Sequence, residues 1–247
     1  MSELRIERLA RSFGGVRAVD GVSFALEAGS VSALIGPNGA GKSTLFNLID
    51  GQLAPEAGTI EFDGRTLVGL PTSARTRAGI GRTFQVAQTF ASMTVLQNAQ
   101  LALVAAAGTS LSPGAPLGTR AQDAATALLQ QVGLVERGVA PAATLAYGDL
   151  KRLELALALA AAPRLLLMDE PTAGMAPGER TALMALVVGL ARERRMTVLF
   201  TEHSMDVVFG FAERVLVLSR GQLIADGMPA AVRADAAVQA VYLGSEP

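Results

Sequence analysis

The sequence of 247 residues contains no cysteine and no tryptophan, and it has only two lysines and one histidine. The absence of cysteine excludes a disulfide framework and thiolate chemistry. No uninterrupted apolar run approaches the roughly 20 residues that a membrane-spanning helix needs. The first seven residues are charged and lack the apolar centre of a signal peptide. We therefore expect a soluble cytoplasmic protein.

An excess of charge of one sign is also missing. The 21 Lys and Arg residues nearly balance the 22 Asp and Glu residues, and the formal net charge is −1. Without a long basic run, non-specific binding to nucleic acid is not expected. Half of the residues are hydrophobic, which is enough for a substantial core. The mean hydropathy of +0.38 is high for a soluble protein, so we expect an unusually apolar surface somewhere.

The most informative stretch that is present, residues 36–44, fits the phosphate-binding pattern G-x-x-x-x-G-K-[ST]. Its glycines allow the backbone to come close to a phosphate and to adopt positive φ. We expect Lys42 to contact the β- and γ-phosphates and the Ser43 hydroxyl to bind Mg²⁺. The candidate nucleotide-binding residues of this loop are Gly36, Pro37, Asn38, Gly39, Ala40, Gly41, Lys42, Ser43 and Thr44.

The surroundings of this loop favour nucleotide binding over a glycine-rich turn that fits the pattern by chance. Residues 31–35 are typical of a short buried strand that enters the loop, and residues 44–49 of a helix that leaves it. The N-terminus of that helix then points at the bound anion.

The order of the remaining elements predicts an α/β fold built on a phosphate-loop core with a parallel sheet. Residues 22–27 and 59–63 alternate in polarity, which indicates an N-terminal antiparallel β subdomain. The apolar run at 165–168 is typical of a buried parallel strand. Residues 197–201 are predicted to form the next strand of the core, and residues 215–225 a final hairpin.

A helical block interrupts this core. Residues 83–119 contain no charged residue, and Thr94-x-x-Gln97 within them is a capping-box pattern that opens a helix. Further helices are predicted at about 120–132 and from about Asp149 to 160, where Pro163 follows. We therefore expect one domain, 1–247, with a helical subdomain at approximately 86–162 inserted in the α/β core.

An acidic pair, Asp169 and Glu170, directly follows the apolar strand at 165–168. A phosphate-loop enzyme places its second acidic element there. We expect Asp169 to hold Mg²⁺ through water and Glu170 to act as the general base on the attacking water. The alternative is a polar strand end before the turn at Pro171.

Two further residues are weaker candidates for the same site. Gln85 could bridge Mg²⁺ and the attacking water, although a lone glutamine is usually a surface residue. His203, the only histidine, follows the strand at 197–201 and could contact the γ-phosphate. A chance polar residue in a loop is the alternative for His203.

The order of these motifs over essentially the whole chain resembles the ATP-binding-cassette (ABC) ATPase family. Its parts are the phosphate loop, Gln85, residues 145–149 (LAYGD) in the signature position, the acidic pair and His203. The resemblance implies that two cassettes pair head to tail, with each ATP between the phosphate loop of one and the signature of the other. Ala146, Tyr147 and Gly148 would then contact the partner's ATP. It also implies that Phe13 stacks on adenine, unless Phe13 is a core residue.

Within that family the sequence looks most like the cassette of branched-chain amino acid importers. The resembling stretches are residues 12–19, 81–85, 145–148, 201–209 and 241–244. The resemblance implies a peripheral ATPase subunit on the cytoplasmic face of the inner membrane. Its expected cofactors are ATP and Mg²⁺. Its expected partners are a second cassette, identical or different, membrane permeases and, indirectly, a solute-binding protein.

Other functions stay open at this point. A related cassette could serve the uptake of urea or short amides. A non-transport cassette that acts on ribosomes or DNA is a second alternative, although two cassettes, coiled-coil insertions or basic arms are expected in such proteins. A third is a switch that binds ATP but barely hydrolyses it.

Three positions depart from the family pattern. Ala146 replaces a serine, Asp149 replaces a glutamine, and Ala176 replaces an aspartate in the loop after the acidic pair. We expect these changes to affect the rate and the tightness of the ATP-bound dimer but not the fold. The charge-free stretch after Gln85 suggests docking to a membrane subunit, with an alanine-rich core helix as the alternative.

Overall fold

A computed structural model of the chain describes residues 2–83, 89–108 and 119–243. Within these residues it contains a four-stranded antiparallel sheet and a six-stranded, mostly parallel sheet, with helices packed around them. The α/β fold class and the N-terminal antiparallel sheet predicted from the sequence are confirmed.

The antiparallel sheet has the strand order β2-β1-β4-β5. Its strands are β1 (Ser2–Phe13), β2 (Val16–Glu27), β4 (Ala57–Phe62) and β5 (Arg65–Thr66). β1 and β2 form a long hairpin that turns at Gly14 and Gly15, and β2 extends beyond the strand predicted at 22–27. The alternation in polarity fades along them because the pairing register shifts after Ile6, Leu9 and Arg11. A period-two pattern therefore finds only their regular part.

The mostly parallel sheet has the order β10-β9-β3-β8-β7-β6. Its strands are β3 (Val31–Ile35), β6 (Ile80–Thr83), β7 (Leu165–Asp169), β8 (Thr197–Thr201), β9 (Arg214–Ser219) and β10 (Gln222–Gly227). β3, β7 and β8 are buried along their whole length, as their apolar sequences predict. β9 and β10 form the predicted hairpin. Because β3, β7 and β8 are parallel, their carboxyl ends meet at one edge of the sheet.

Within the described part of the chain, six helices pack on this α/β core. They are α1 (Lys42–Asp50), α2 (Thr72–Arg77), α6 (Pro177–Arg194), α7 (Met205–Phe211), α8 (Pro229–Ala234) and α9 (Ala236–Leu243). α1 begins two residues before the predicted helix, directly at the lysine of the phosphate loop. α6 buries Leu183, Val187 and Leu190 and leaves Leu186 half-buried. The sequence pattern does not predict α2, α7, α8 and α9, because helices of six to eight residues are too short to show a helical period.

The helical block follows β6 and precedes β7 in the chain. It contains α3 (Val95–Ala106), α4 (Thr119–Gln131) and α5 (Tyr147–Leu159). The predicted capping box at the start of α3 is confirmed, because Thr94 Oγ1 accepts from the Gln97 N–H at 3.1 Å and Gln97 Oε1 from the Thr94 N–H at 2.9 Å. In α5 the buried Lys151 forms an ion pair with Glu154 at 2.9 Å.

The structure also shows whether the described helices could span a membrane. Among the helices of the described residues, none is both long and apolar enough to cross a membrane.

Candidate active site

The phosphate loop connects β3 to α1 and approaches other backbone segments closely. A Cβ on Gly36 would lie 2.1 Å from the Leu218 carbonyl oxygen, and a Cβ on Gly41 would lie 2.1 Å from the Ala18 carbonyl oxygen. Any side chain at these two positions would therefore displace the loop. Gly41 also has φ 105°, which favours glycine.

Lys42 lies inside the curve of this loop. Its buried ammonium donates to the carbonyl oxygens of Gly36 at 2.6 Å and Pro37 at 3.1 Å. Burial lowers the pKa of Lys42 from its ordinary value, and the negative charges of Glu170 and Asp169 oppose that shift. The predicted acidic pair is thus close enough to act electrostatically on the predicted phosphate-binding lysine.

A cavity of 210 Å³ opens at the loop, and it joins the two predicted halves of the site. Ser43 lies in its wall and is exposed at the start of α1, where the helix N-terminus favours an anion. The cavity is lined by Ala18, Asn38, Gly39, Ala40, Gly41, Lys42, Ser43, Thr44 and Glu170. Glu170 therefore faces the space into which the phosphate loop opens.

The acidic pair is held by the neighbouring strand. Asp169 Oδ1 accepts from the Thr201 hydroxyl at 2.8 Å, and the Glu170 N–H donates to the same hydroxyl oxygen at 3.0 Å. Glu170 has φ 48°, a left-handed conformation that costs a non-glycine residue about 1 kcal/mol. Thr201 was not a candidate from the sequence, because its two partners lie more than 30 residues away.

His203 lies beside Glu170, as a shared active site requires. Its Nε2 is 2.8 Å from Glu170 Oε1, and the imidazole is half exposed. The structure therefore brings the predicted base and the only histidine into direct contact, although they come from different strands.

Arg82 is a further charged group at this edge that the sequence pattern does not single out. The side chain is 9% exposed and lies 3.4 Å from Asp169 Oδ2 through Nη2. Its Nη1 donates to Asn47 Oδ1 at 2.7 Å and to the Asp50 carboxylate. Arg82 therefore links the acidic pair to the end of α1. No local motif marks it, because each partner is at least 32 residues distant.

The signature residues lie at the N-terminus of α5, which begins at Tyr147 and thus two residues before the predicted start. Ala146 is the N-cap and supplies no side-chain cap. The Tyr147 hydroxyl donates to the Ala173 carbonyl oxygen at 3.0 Å, and a Cβ on Gly148 would lie 3.2 Å from a Glu179 carboxylate oxygen. Ala146, Tyr147 and Gly148 are not among the described residues that line the cavity at the phosphate loop.

Two remaining candidates have different outcomes. Phe13 is 45% exposed, with the Arg11 guanidinium 5.1 Å from its ring centroid. The alternative in which Phe13 belongs to the core is therefore wrong. Gln85 lies outside the described residues.

Comparison with known proteins identifies the family to which the chain belongs. The family model described as "ABC transporter" matches residues 19–173. The structure is similar over 99% of its length to a crystal structure of the ADP conformation of an ATP-binding cassette of an ABC transporter. That similarity has a TM-score of 0.89 at 32% identity and covers 100% of the solved chain. The chain belongs to the ABC transporter family and is an ATP-binding, ATP-hydrolysing cassette.

Within this family, the model described as "Branched-chain amino acid ATP-binding cassette transporter" matches residues 222–247. The chain is 39% identical to the high-affinity branched-chain amino acid transport ATP-binding protein LivG of Salmonella typhimurium. It is 38% identical to the corresponding protein BraF of Pseudomonas aeruginosa. Both similarities cover 98% of this chain and 97% of the relative.

Proposed function

We propose that this chain is the ATP-hydrolysing subunit of an ABC importer that drives the uptake of branched-chain or other hydrophobic amino acids. The observation that carries the proposal is the meeting of the phosphate loop, Glu170 and His203 at one edge of the sheet. The full-length similarity to LivG and BraF supports the solute class. The whole chain, 1–247, acts as one ATPase domain with a helical subdomain at approximately 86–162.

In this proposal the phosphate loop binds ATP, and Phe13 stacks on the adenine. Lys42 neutralises charge on the β- and γ-phosphates. Glu170 accepts a proton from the water that attacks the γ-phosphorus, so that ADP leaves. His203 keeps Glu170 in place and contacts the γ-phosphate.

The residues at this edge also fit a magnesium ion. Mg²⁺ in nucleotide sites takes one or two protein ligands together with phosphate oxygens. Ser43 is exposed at the start of α1, and the Asp169 carboxylate lies at the same edge, where Thr201 donates to its Oδ1 and Arg82 Nη2 lies 3.4 Å from its Oδ2. Ser43, Asp169 and Gln85 would hold the ion, which supplies positive charge to the γ-phosphate when it is bound.

A second cassette completes the site in this proposal. The first turn of α5 has backbone N–H groups that the helix itself does not bond, and Ala146, Tyr147 and Gly148 are not among the described residues that line the chain's own phosphate cavity. The start of α5 is therefore suited to bind the nucleotide of a partner. Ala146 supplies no hydroxyl to that contact. Asp149 lies in the first turn of α5, where a carboxylate suits the helix N-terminus but repels a phosphate.

Docking to a membrane permease is the third part of the proposal, and it places the chain on the cytoplasmic face of the membrane. A groove of 550 Å³ separates the helical block from the core, and its block side includes Ala102, Ala106 and Leu157. The alternative of a fully buried α3 is not favoured, because Ala102 and Ala106 are only half-buried. On the core side the groove is lined by Arg75 and by Arg82, which contacts Asp169.

This geometry predicts where the permease can be cross-linked. Because the chain has no cysteine, single cysteines at Ala102 and Ala106 should form adducts with permease subunits in membranes that contain the complete transporter. A cysteine at the exposed Thr181 on α6 is the matched control and should form none. Gels with antibodies to both subunits measure the adducts. An intact complex without an adduct at either groove position would place docking elsewhere.

The solute class has its own test. In proteoliposomes with the permeases and the solute-binding protein, leucine, isoleucine and valine should stimulate ATP hydrolysis and accumulate inside. Urea and short amides should do neither. Stimulation by urea or an amide, without stimulation by leucine, would contradict the proposed solute. ATP hydrolysis that no permease influences would favour a non-transport cassette instead.

A further inference from the structure

Glu202 is a buried carboxylate between two residues of the site and has no role in the function proposed above. It lies between Thr201 and His203 and is 4% exposed. Its Oε1 accepts from the Thr172 N–H at 2.9 Å and from the Thr172 hydroxyl at 2.5 Å. Its Oε2 accepts from the His203 N–H at 3.1 Å. Both oxygens are thus used as acceptors.

These hydrogen bonds close a ring around the contact between Glu170 and His203. Thr172 lies two residues after Glu170, and His203 is bonded to Glu202 through its backbone and to Glu170 through its imidazole. Glu202 therefore accepts hydrogen bonds from the backbone on both sides of that contact, at Thr172 and at His203. If the hydrogen bond of Glu202 to either residue were lost, the side chains of Glu170 and His203 could move apart without any change in the phosphate loop.

The backbone conformation of Glu170 also has to be held by hydrogen bonds from its surroundings. A non-glycine residue at φ 48° keeps that conformation only when its surroundings hold it. Thr201 holds the Glu170 N–H from one side, and Glu202 holds the chain two residues further on through Thr172. Three hydrogen bonds from neutral donors also explain how an acidic side chain can be buried here.

We propose that Glu202 is a positioning residue that fixes the Glu170–His203 contact through Thr172 and His203. This inference rests on the proposed roles of Glu170 and His203 in ATP hydrolysis. Glu202 does not contact the phosphate cavity, so its effect should fall on turnover and not on nucleotide binding.

Two substitutions loosen this arrangement in different ways. Glu202→Gln replaces one carboxylate oxygen with an NH₂ group. That group is a donor and would face the N–H donor of Thr172 or of His203. Thr172→Val removes one hydroxyl donor and keeps the shape of the side chain. Displacement of a catalytic group by about 1 Å can cost 10²-fold in rate. We expect kcat to fall at least 10-fold in both variants, with an unchanged Kd for ATP. Thr172→Ser retains the hydroxyl and should recover the turnover that Thr172→Val loses.

The only histidine of the chain gives a direct measurement of position. With histidine labelled at its ring carbons, the imidazole signals in the NMR spectrum belong to His203 alone. Thr172→Val and Glu202→Gln should both move these signals, although the Thr172 side chain does not bond to the imidazole. This measurement needs no nucleotide and no activity.

Glu3→Gln is the matched control. Glu3 is another buried acid that accepts from a threonine hydroxyl, that of Thr197 at the opposite end of β8. Glu3→Gln alters a hydrogen bond on the same strand but outside the site. The kcat and the His203 signals of this variant should therefore stay as in the unmodified chain.

The outcomes separate this inference from the function on which it rests. Slow turnover, unchanged ATP binding and moved His203 signals in Thr172→Val and Glu202→Gln would support it. Unmoved His203 signals in folded Thr172→Val would overturn it, whatever the turnover, and this holds if Glu202→Gln does not fold. Absence of ATP hydrolysis in the unmodified chain would instead contradict the proposed function.

Discussion

Replacement of Lys42 by alanine should lower the affinity for ATP by about 100-fold and abolish hydrolysis. A hydrogen bond to a charged group contributes about 1.5–3 kcal/mol, and Lys42 is expected to contact two phosphates. Its ammonium is already aimed into the curve of the loop by the Gly36 and Pro37 carbonyl groups. The alanine variant removes the charge together with the two hydrogen bonds that Lys42 donates to the loop backbone.

Calorimetric titration with ATP measures this effect. Lys42→Arg is the matched control for charge, since arginine keeps the positive charge but has a larger, planar head. We expect it to recover part of the affinity at most. Equal ATP affinity in folded Lys42→Ala and in the unmodified chain would remove the basis for assigning the nucleotide site to residues 36–44.

Replacement of Glu170 by glutamine should keep ATP binding and lower hydrolysis by about 10²–10⁴-fold, which is the usual contribution of a positioned general base. Glutamine has nearly the same shape and can still contact the imidazole of His203, but it cannot accept the proton of the attacking water. The loss of a negative charge beside the γ-phosphate should also stabilise the ATP-bound state.

The expected consequence is an ATP-dependent dimer that persists in Glu170→Gln and is transient in the unmodified chain. Size-exclusion chromatography with and without ATP measures it, and if the transporter uses two different cassettes, the partner cassette must be present. Near-normal turnover in this variant would exclude Glu170 as the base. Lost turnover without any dimer would indicate that Ala146, Asp149 and Ala176 weaken the contact between the cassettes.

The parts that the sequence predicts well are those with local signals. The phosphate loop is a continuous stretch, the capping box needs only Thr94 and Gln97, and the strands at 31–35 and 197–201 are short, mostly apolar runs. In each case the pattern and its physical cause lie within about ten residues.

The parts that it misses depend on partners distant in the chain. Arg82, Thr201 and Glu202 acquire their places only when β6, β7 and β8 lie side by side, so no spacing in the sequence marks them. The exposure of Phe13 likewise follows from the length of the β1–β2 hairpin. The sequence pattern does not show this length, because the shifts in pairing register interrupt the alternation in polarity.

Both lysines of the chain are buried, one in each part of the fold. Lys42 is held by the carbonyl groups of the phosphate loop in the α/β core, and Lys151 by Glu154 in the helical block. An acylating reagent can reach either amine only when the groups around it move. The two labelling rates, followed by mass spectrometry as denaturant is added, would therefore report separately on the opening of the core and of the block.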